Sequence, residues 1–555
     1  MQSSLERGTE SSVSNGGEPP RVDVLVVGSG ASGVNAAYPL VEAGFQVRML
    51  DVGTRDDSYE ALIPARSFQE IRHTDPNQHR YLLGDRFDGI PFGPVGAGAQ
   101  LTPPRQFVCR DTNDLTPVVS DGFTPVESLA LGGLASAWGA GCPPFADSDF
   151  AGFPISASVL QAHYEAVAQR IGISGARDDL LPFLGDLQAM QPPAAVDSNA
   201  QSLLRQYERV RSRLNRSGFH LGRPRLALLT REHRGRGPTQ YWDMDFWADK
   251  DRAVYRPRWT VEELCTSSHF EYRASRFVEA FAESGDDIIV RARNLNGGEA
   301  EVHRARTLIL AAGTFGTTRI VLRSLGLYGR RVPFVCNPHT YAAMLNLRML
   351  GQRPEDRRHS LAQLCVVHAP RGTAGPTTVG HIYSYRSLLT FRLAKETRLP
   401  LRDSLGALRL LLPALTLLIL QHADEPSPKK YCVLVRGQGP EPDRLELHYE
   451  RSLEERQAAD RVEREVVAQF RRLRCLCLQR SYPGDAASVH YAGTLPMTET
   501  EQELTTDPSG RLRGTRSVYV ADGSAFPRLP SRGHTFTMMA NANRVGCLIS
   551  ERLRG

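Results

Sequence analysis

Two sets of residues in this sequence have types and spacings that suit chemistry, a pair of histidines and a group of glycines. His490 lies in HYAGT, and His534 lies in SRGHTFT. An imidazole changes its charge close to neutral pH, so both side chains suit proton transfer. Gly28, Gly30 and Gly33 lie in VVGSGASG and have the spacing G-x-G-x-x-G. This spacing is typical of a turn that binds a dinucleotide.

The glycine motif lies between a predicted strand and a predicted helix. Val22–Val27 is an apolar run that suits a strand buried on both faces of a parallel sheet. Gly28 permits the tight turn that follows it, and Gly30 lets the backbone approach a pyrophosphate. Gly33 lets the helix pack closely on the strand. The order of elements predicts a βαβ unit, which makes the motif much more specific than the glycines alone.

The predicted helix and the strand after it supply the rest of this site. The predicted helix begins at about Ser32, directly after Ala31, and free N–H groups at its start would face the anion. Phe45–Leu50 is the second strand, and Asp51 ends it. An acid at this position accepts hydrogen bonds from ribose hydroxyls and repels a 2′-phosphate, which disfavours NADP. The motif does not separate FAD from NAD.

The composition is that of a large globular enzyme and excludes several other classes. The chain has 555 residues, of which 41% are hydrophobic and 23% charged. This length favours about two to four domains. A net charge of +6, without any nucleic-acid-binding motif, predicts no nucleic acid partner. No cluster of Cys and His has metal-site spacing, so we expect no metal.

The N-terminal residues and the cysteines both favour the cytoplasm. Residues 1–20 are polar and lack the apolar core of a secretory signal, which predicts a disordered tail. The nine cysteines are odd in number and have no framework spacing. This pattern is typical of reduced thiols in a reducing compartment.

One apolar segment, Leu405–Gln421, needs a separate interpretation. It reads LGALRLLLPALTLLILQ and contains Pro413. A spanning helix needs about 20 apolar residues, so the segment is too short to cross a bilayer. We interpret it as a helix buried in a second domain. The alternative is an exposed apolar surface that lies on a membrane or on a lipid-like substrate.

Several stretches resemble the glucose–methanol–choline (GMC) oxidoreductase family, which uses FAD. LGGLASAWG at 131–139 resembles the Gly-Gly loop of the family, and ILAAGTFGTTRIVLRS at 309–324 resembles the strand and helix that return to the flavin domain. The stretch at 153–175 resembles a helix of bacterial and pyranose-oxidase-like members. HYAGTLPM, VYVADGSAFP and SRGHTFTMMANANR resemble the C-terminal signature region. The resemblance covers most of residues 22–180, 240–325 and 485–552, and it is weak over 331–480.

The resemblance implies an α/β fold with two domains. The first is a discontinuous, Rossmann-like FAD-binding domain that comprises residues 21–150, 240–330 and 481–555. The second is an α+β substrate-binding domain built on an antiparallel sheet, and it comprises residues 151–239 and 331–480.

The resemblance also assigns residues to FAD. The positions beyond the glycine motif are Gly132, Gly133, Ser136, Val278, Ala312, Gly313, Asp522, Gly523 and Thr535. Thr535 begins a helix whose N–H groups would face the pyrimidine edge of the flavin, where negative charge develops on reduction. Some members attach the flavin through a histidine in G-G-M-S-T-H-W. Here GGLASAW places Ala137 at that position, so we expect FAD without a covalent link.

The chemistry implied by the resemblance is oxidation of a CH–OH group. The hydride goes to flavin N5, and the proton goes to a base. His490 matches the base of the family, and His534 matches its second position, where the family has histidine or asparagine. The expected substrate is a sugar, polyol or other alcohol, and the electron acceptor is not determined. The remaining histidines that we considered are expected to be structural: His163, His339, His368, His381 and His422.

A second function is compatible with the same fold. A lyase or desaturase would act on an apolar substrate without net oxidation of an alcohol. The apolar segment Leu405–Gln421 is the best support for this alternative. The same segment predicts a possible peripheral membrane contact.

Overall fold

A computed structural model describes residues 20–56, 58–85, 101–354, 357–384, 400–439 and 441–555. The tail predicted at residues 1–20 lies outside the described residues except for Pro20. In chain order the strands are β1 (Arg21–Val27), β2 (Val47–Leu50), β3 (Val118–Ser120), β4 (Phe219–Gly222), β5 (Phe270–Arg273), β6 (Arg276–Ser284), β7 (Asp287–Asn294), β8 (Ala300–Leu310), β9 (Arg331–Pro333), β10 (Val335–Cys336), β11 (His339–Asn346), β12 (Leu364–His368), β13 (Thr378–Ser384), β14 (Leu415–Gln421), β15 (Lys430–Val435), β16 (Arg444–Tyr449), β17 (Cys475–Ser481), β18 (Tyr491–Ala492) and β19 (Val518–Val520). The helices are α1 (Ala31–Glu42), α2 (Phe68–Thr74), α3 (Gln78–Leu82), α4 (Thr112–Leu115), α5 (Ala157–Ile171), α6 (Leu181–Leu184), α7 (Ser198–Arg216), α8 (Pro257–Leu264), α9 (Thr314–Ser324), α10 (Leu401–Leu411), α11 (Leu453–Phe470) and α12 (Thr535–Arg554).

A seven-stranded sheet carries the predicted βαβ unit. Its order is β5-β2-β1-β8-β7-β6, and β19 pairs with β8. Strands β5, β2, β1, β8 and β19 pair in parallel, and their neighbouring carboxyl ends lie at one edge of the sheet. Val24, Leu25 and Val26 are fully buried, as expected for a strand covered on both faces. Ligands of such sheets bind at this edge.

Strand β8 is a single strand of 11 residues. Its first half pairs antiparallel with β7, and its second half pairs parallel with β1 and β19. One long strand therefore joins the antiparallel part of the seven-stranded sheet to its parallel part.

A second, six-stranded sheet is antiparallel and has the order β17-β11-β14-β13-β12-β4. The predicted helix at 405–421 is wrong for the second half of that segment. Helix α10 ends at Leu411, and Leu415–Gln421 forms β14 in the interior of the sheet. A short apolar run fits a buried helix and a buried strand equally well, so periodicity alone did not decide between them. Pro413 favours the break because it cannot continue the backbone hydrogen bonds of a helix.

The strand structure of Leu415–Gln421 leaves fewer residues for the predicted membrane contact. Strand β14 is paired on both sides, and it presents no apolar surface to a membrane. In α10, Leu405 and Leu410 are 47% and 58% exposed. A peripheral contact therefore stays a prediction for α10 alone. None of the helices within the described ranges is both long and apolar enough to cross a bilayer.

A four-stranded sheet, β3-β16-β15-β9, lies against the nucleotide-binding sheet. Leu434 and Leu447 of this sheet share a hydrophobic core with Leu308 and Leu310 of β8. Part of the segment 331–480 therefore packs on the seven-stranded sheet. The α/β fold with a second antiparallel sheet is confirmed.

The two ends of the chain pack against each other through α1 and α12. A Cβ at Gly546 of α12 would overlap the carbonyl oxygen of Ala36 in α1. Arg170 of α5 bonds Asn35 of α1 at 2.7 Å and Asn543 of α12 at 3.1 Å. These contacts bring the glycine turn and the C-terminal histidines to the same region.

Candidate active site

One cavity extends from the end of β1 to the start of α12, and we call it the nucleotide cavity. The predicted site residues that line it are Gly28, Gly30, Ala31, Ser32, Asp51, Gly133, Val278, Ala312, Gly313, His490, Asp522, Gly523, His534 and Thr535. Gly33, Gly132 and Ser136 do not line it. The structure thus brings together residues that are separated by almost the whole sequence.

The three predicted residues outside the lining shape the loops beside the nucleotide cavity. A Cβ at Gly33 would overlap the carbonyl oxygen of Gly28, so glycine is required for the close approach of helix and turn. The Ser136 hydroxyl donates to the carbonyl oxygen of Leu131 at 2.6 Å. A Cβ at Gly132 would lie 2.5 Å from that hydroxyl oxygen. These residues hold the backbone in place rather than face a ligand.

Three helix N-termini converge on the nucleotide cavity. Helices α1, α9 and α12 begin after Gly30, Gly313 and His534, and none of these N-cap residues accepts a hydrogen bond with its side chain. A Cβ at Gly30 or Gly313 would have no atom within 4 Å, so both positions are open. The buried hydroxyl of Ser32 has no hydrogen-bond partner. Free N–H groups and helix dipoles at one place suit an anionic pyrophosphate.

Asp51 lies at the end of β2, where the sequence predicts a ribose-binding acid. It accepts hydrogen bonds from Ser29 and from the Tyr272 hydroxyl, the latter at 2.9 Å. Burial raises the pKa of this carboxyl to about 6, although both hydrogen bonds oppose the shift. Tyr272 was not predicted, because it belongs to a strand more than two hundred residues away and follows no recognisable motif.

Asp522 faces the nucleotide cavity from the loop after β19. Its carboxylate accepts hydrogen bonds from the Thr317 hydroxyl at 2.5 Å and from the backbone N–H of Ser524 at 3.0 Å. Burial raises the pKa of this carboxyl. The residue therefore ties α9 to the C-terminal loop as well as lining the site.

The two predicted histidines lie side by side. The ring centroids of His490 and His534 are 5.0 Å apart, and the rings are perpendicular at 86°. Val489, just before His490, has a φ of +59°, which is a rare conformation for a β-branched residue and is typical of functional sites. His534 is the N-cap residue of α12, so the start of that helix fixes its position.

Burial keeps both imidazoles neutral. It lowers the pKa of His490 to about 4, with a smaller contribution from His381. It lowers the pKa of His534 well below 6.5, with a smaller contribution from His490. The Nδ1 atoms of both rings are buried without a partner. A neutral imidazole with a free nitrogen is able to accept a proton or to hydrogen-bond a hydroxyl group.

The structure also brings residues to the site that the sequence did not predict. His339, expected to be structural, has its ring centroid 5.6 Å from that of His490. Gln421 ends β14 close to His490. The Arg319 guanidinium pairs with Glu127 at 3.0 Å in the lining of the nucleotide cavity. Within the described part of the chain, no three His, Cys, Asp or Glu side chains form a group suited to a metal ion.

Trp138 packs edge-on against Tyr255 and also lines the nucleotide cavity. Its indole Nε1–H donates to the carbonyl oxygen of Tyr255 at 2.7 Å. The ring therefore forms part of a fixed wall.

The comparisons with known proteins agree with this geometry. Residues 454–542, which include both histidines, match the C-terminal model of the family described as GMC oxidoreductase. No curated protein matches the chain. Among solved structures, that of pyridoxine 4-oxidase from Mesorbium loti is similar, with a TM-score of 0.57 and 14% identity over 95% of this chain and 99% of that chain. At this identity the likeness concerns the fold alone. The chain is thus similar to GMC oxidoreductases in the sequence around His490 and His534, and it shares its fold with a solved oxidase.

Proposed function

We propose that this protein is an FAD-dependent oxidoreductase that oxidises a CH–OH group of a small-molecule alcohol. The observation that carries the proposal is the pair of neutral imidazoles in the cavity that also contains the dinucleotide-binding turn. The turn alone would suit any dinucleotide protein, and the histidines alone would suit many acid–base reactions. Their presence in one cavity favours redox chemistry on an alcohol.

The residues of the nucleotide cavity fit FAD. The open positions at Gly30 and Gly313 form a cradle that a Cβ would fill, and three helix N-termini supply donors for a pyrophosphate. When bound, FAD accepts the two electrons that leave the carbinol carbon. Ala137 lines the cavity where some family members have the histidine that attaches the flavin. This residue has no group for such a bond, which supports non-covalent binding.

His490 is the proposed base. Its low pKa leaves the ring unprotonated at neutral pH, so the ring accepts the proton of the substrate hydroxyl. His534 hydrogen-bonds the same oxygen and holds it beside His490. Glycine at position 523 allows a close approach beside this pair, because a Cβ there would lie 2.7 Å from the carbonyl oxygen of Tyr491. The start of α12 places a partial positive charge in the same region.

The alternative reaction, a lyase or desaturase acting on an apolar substrate, loses its best support. Leu415–Gln421 is an interior strand rather than an apolar surface. Its last residue, Gln421, is polar, and its side-chain amide lies within 4 Å of the Cβ position of Gly533, as does Cε1 of His490. We therefore propose a polar alcohol, such as a sugar or polyol, and leave the electron acceptor unassigned.

The visible spectrum of the purified protein tests the proposal. We expect a yellow protein that releases its FAD on acid precipitation. Sugars, polyols, pyridoxine and long-chain alcohols are then added without air, and at least one polar alcohol should bleach the flavin. Pyridoxine is included because the structural neighbour is named for it. Bleaching by dithionite but by none of the alcohols would overturn the proposal.

A further inference from the structure

The six-stranded sheet ends beside the histidine pair with two polar residues. His339 and Gln421 are paired directly opposite each other on β11 and β14. Directly opposite residues of an antiparallel pair project from the same face of the sheet. The exposed fractions are only 8% for His339 and 7% for Gln421. Two buried polar side chains therefore lie next to each other.

Both side chains lie close to the proposed base. The ring of His339 meets that of His490 edge to face at 85°. A Cβ at Gly533 would lie 3.7 Å from Cε1 of His490 and 3.8 Å from Nε2 of Gln421. His339 and Gln421 do not line the nucleotide cavity itself, so a substrate held at His490 would meet them beside that lining.

Both side chains also have an unpaired polar atom. Nε2 of His339 and Oε1 of Gln421 are buried and have no hydrogen-bond partner. Nε2 of His368 and Nε2 of His422 do have partners, 2.9 Å away at Glu465 and at Thr340, although Nδ1 of His368 is also buried without a partner. Leaving a buried polar atom unpaired is unfavourable unless a ligand supplies the missing hydrogen bond.

The same face of the sheet continues as a polar and aromatic wall. Register places Tyr341 and His381 opposite Ile419 on this face, and Tyr383 lies further along the strand. The hydroxyl of Tyr383 lies 3.6 Å from the Cβ position of Gly139, which lines the nucleotide cavity. On the opposite face of the sheet, Leu418 and its apolar neighbours pack in a separate hydrophobic core. Only one face is therefore built to bind a polar ligand.

We propose that His339 and Gln421 are specificity-determining residues that bind a second hydroxyl group, on the carbon next to the one that is oxidised. The substrate class is then a vicinal diol. This inference rests on the proposed function, because His490 defines the position of the reacting oxygen. A hydroxyl group donates its one O–H to Oε1 of Gln421 and accepts from His339, which requires the tautomer of His339 that carries its proton on Nε2. Hydrogen bonds of about 2.8 Å to neighbouring side chains suit two oxygens on adjacent carbons.

The test compares two alcohols that differ by one hydroxyl group, cyclohexanol and trans-cyclohexane-1,2-diol. The FAD-loaded protein is mixed with each alcohol without air, and the efficiency of flavin reduction is measured. We expect the wild type to prefer the diol by at least about tenfold. His339→Phe and Gln421→Met should each bring this ratio close to one, and His339→Gln should keep part of the preference.

The control is His368→Gln, because His368 lies on the same sheet but pairs with Glu465 outside the nucleotide cavity. It should leave the ratio unchanged. FAD content shows that each variant is folded, and the two single variants test the inference independently. An equal loss for both alcohols in His339→Phe and Gln421→Met would overturn it, as would a wild type without preference. A wild type that oxidises another alcohol but neither of these two would reject the diol while leaving the proposed function in place.

Discussion

His490 and His534 meet edge to face, and both rings have a buried Nδ1 without a partner. Two protonated imidazoles at this distance would repel each other, and burial penalises the charge of each. The site therefore holds both rings neutral, although histidine in water is close to half protonated near pH 6.5. Neutral rings allow one histidine to accept a proton while the other hydrogen-bonds the same oxygen.

The lowered pKa of His490 predicts how the reaction depends on pH. Only the unprotonated ring accepts a proton, so the rate is high above its pKa and is lost below it. With a pKa of about 4 rather than 6.5, flavin reduction by the alcohol should hardly change as pH falls through 6.5 and should decline only toward 4. Anaerobic reduction rates measured across this range check the prediction. A rate that is halved near pH 6.5 would indicate a base with an ordinary pKa.

At the scale of elements, the turn between β1 and α1 contains one glycine that helix packing requires and one that leaves space for a ligand. A Cβ at Gly33 would overlap Gly28, whereas a Cβ at Gly30 would meet no atom within 4 Å. Gly33→Ala should therefore lower the free energy of unfolding by about 1–3 kcal/mol. Gly30→Ala should leave the stability of the FAD-free protein nearly unchanged and weaken FAD binding. Urea unfolding of the FAD-free proteins and FAD titrations measure the two effects, and equal losses of stability would refute this assignment.

The corrected strand β14 predicts a contrast between two leucines that the sequence places in one segment. Leu418 is fully buried, whereas Leu410 of α10 is 58% exposed. Leu418→Ala should lower the free energy of unfolding by about 2–5 kcal/mol, because it leaves a cavity in the core. Leu410→Ala should change it by no more than about 0.5 kcal/mol. Urea unfolding measures both free energies. A larger loss of stability for Leu410→Ala than for Leu418→Ala would mean that the exposed side chains lie in the second half of Leu405–Gln421, not in the first.

The elements that the sequence predicts well have strong local signals. The βαβ unit has a glycine turn after an apolar strand, and the stretches that form α5 and α12 carry the family resemblance. The segment 405–421 has no such signal, because an apolar run of this length fits either kind of element. The second half of the segment forms a strand because β11 and β13 pair with it on either side, and both strands come from other parts of the sequence.

At the scale of the whole molecule, the site depends on the contact between α1 and α12. Gly546 of α12 lies so close to α1 that a Cβ would stand 2.8 Å from Cγ of Pro39 and overlap the backbone of Ala36. Gly546→Ala should therefore lower the free energy of unfolding by about 1–3 kcal/mol and weaken FAD binding as the helices separate.

The matched control for this prediction is Gly406→Ala in α10. Gly406 is also a helix glycine, but a Cβ there would meet no atom within 4 Å. Alanine should stabilise this exposed helix position by about 0.5–1 kcal/mol. Thermal unfolding of the two variants gives the comparison. A Gly546→Ala protein as stable as Gly406→Ala would contradict the close packing of the two chain ends.

The sequence predicts the residues that motifs carry and misses those that only the three-dimensional register brings to the site. Gly28, Asp51, His490 and His534 lie in recognisable stretches and line the nucleotide cavity. His339 and Gln421 carry no local signal, since their meeting depends on the pairing of β11 with β14. Tyr272 reaches Asp51 for the same reason.

Rapid anaerobic mixing of the FAD-loaded protein with an alcohol that bleaches it, for the wild type and for His490→Ala, most directly tests the claim that a neutral imidazole removes the substrate proton. Loss of a general base should slow flavin reduction by about 10²–10⁴-fold. The variant should retain its FAD, because the cofactor is held by the glycine turn and the helix N-termini. Flavin reduction at the wild-type rate in His490→Ala would contradict the assignment.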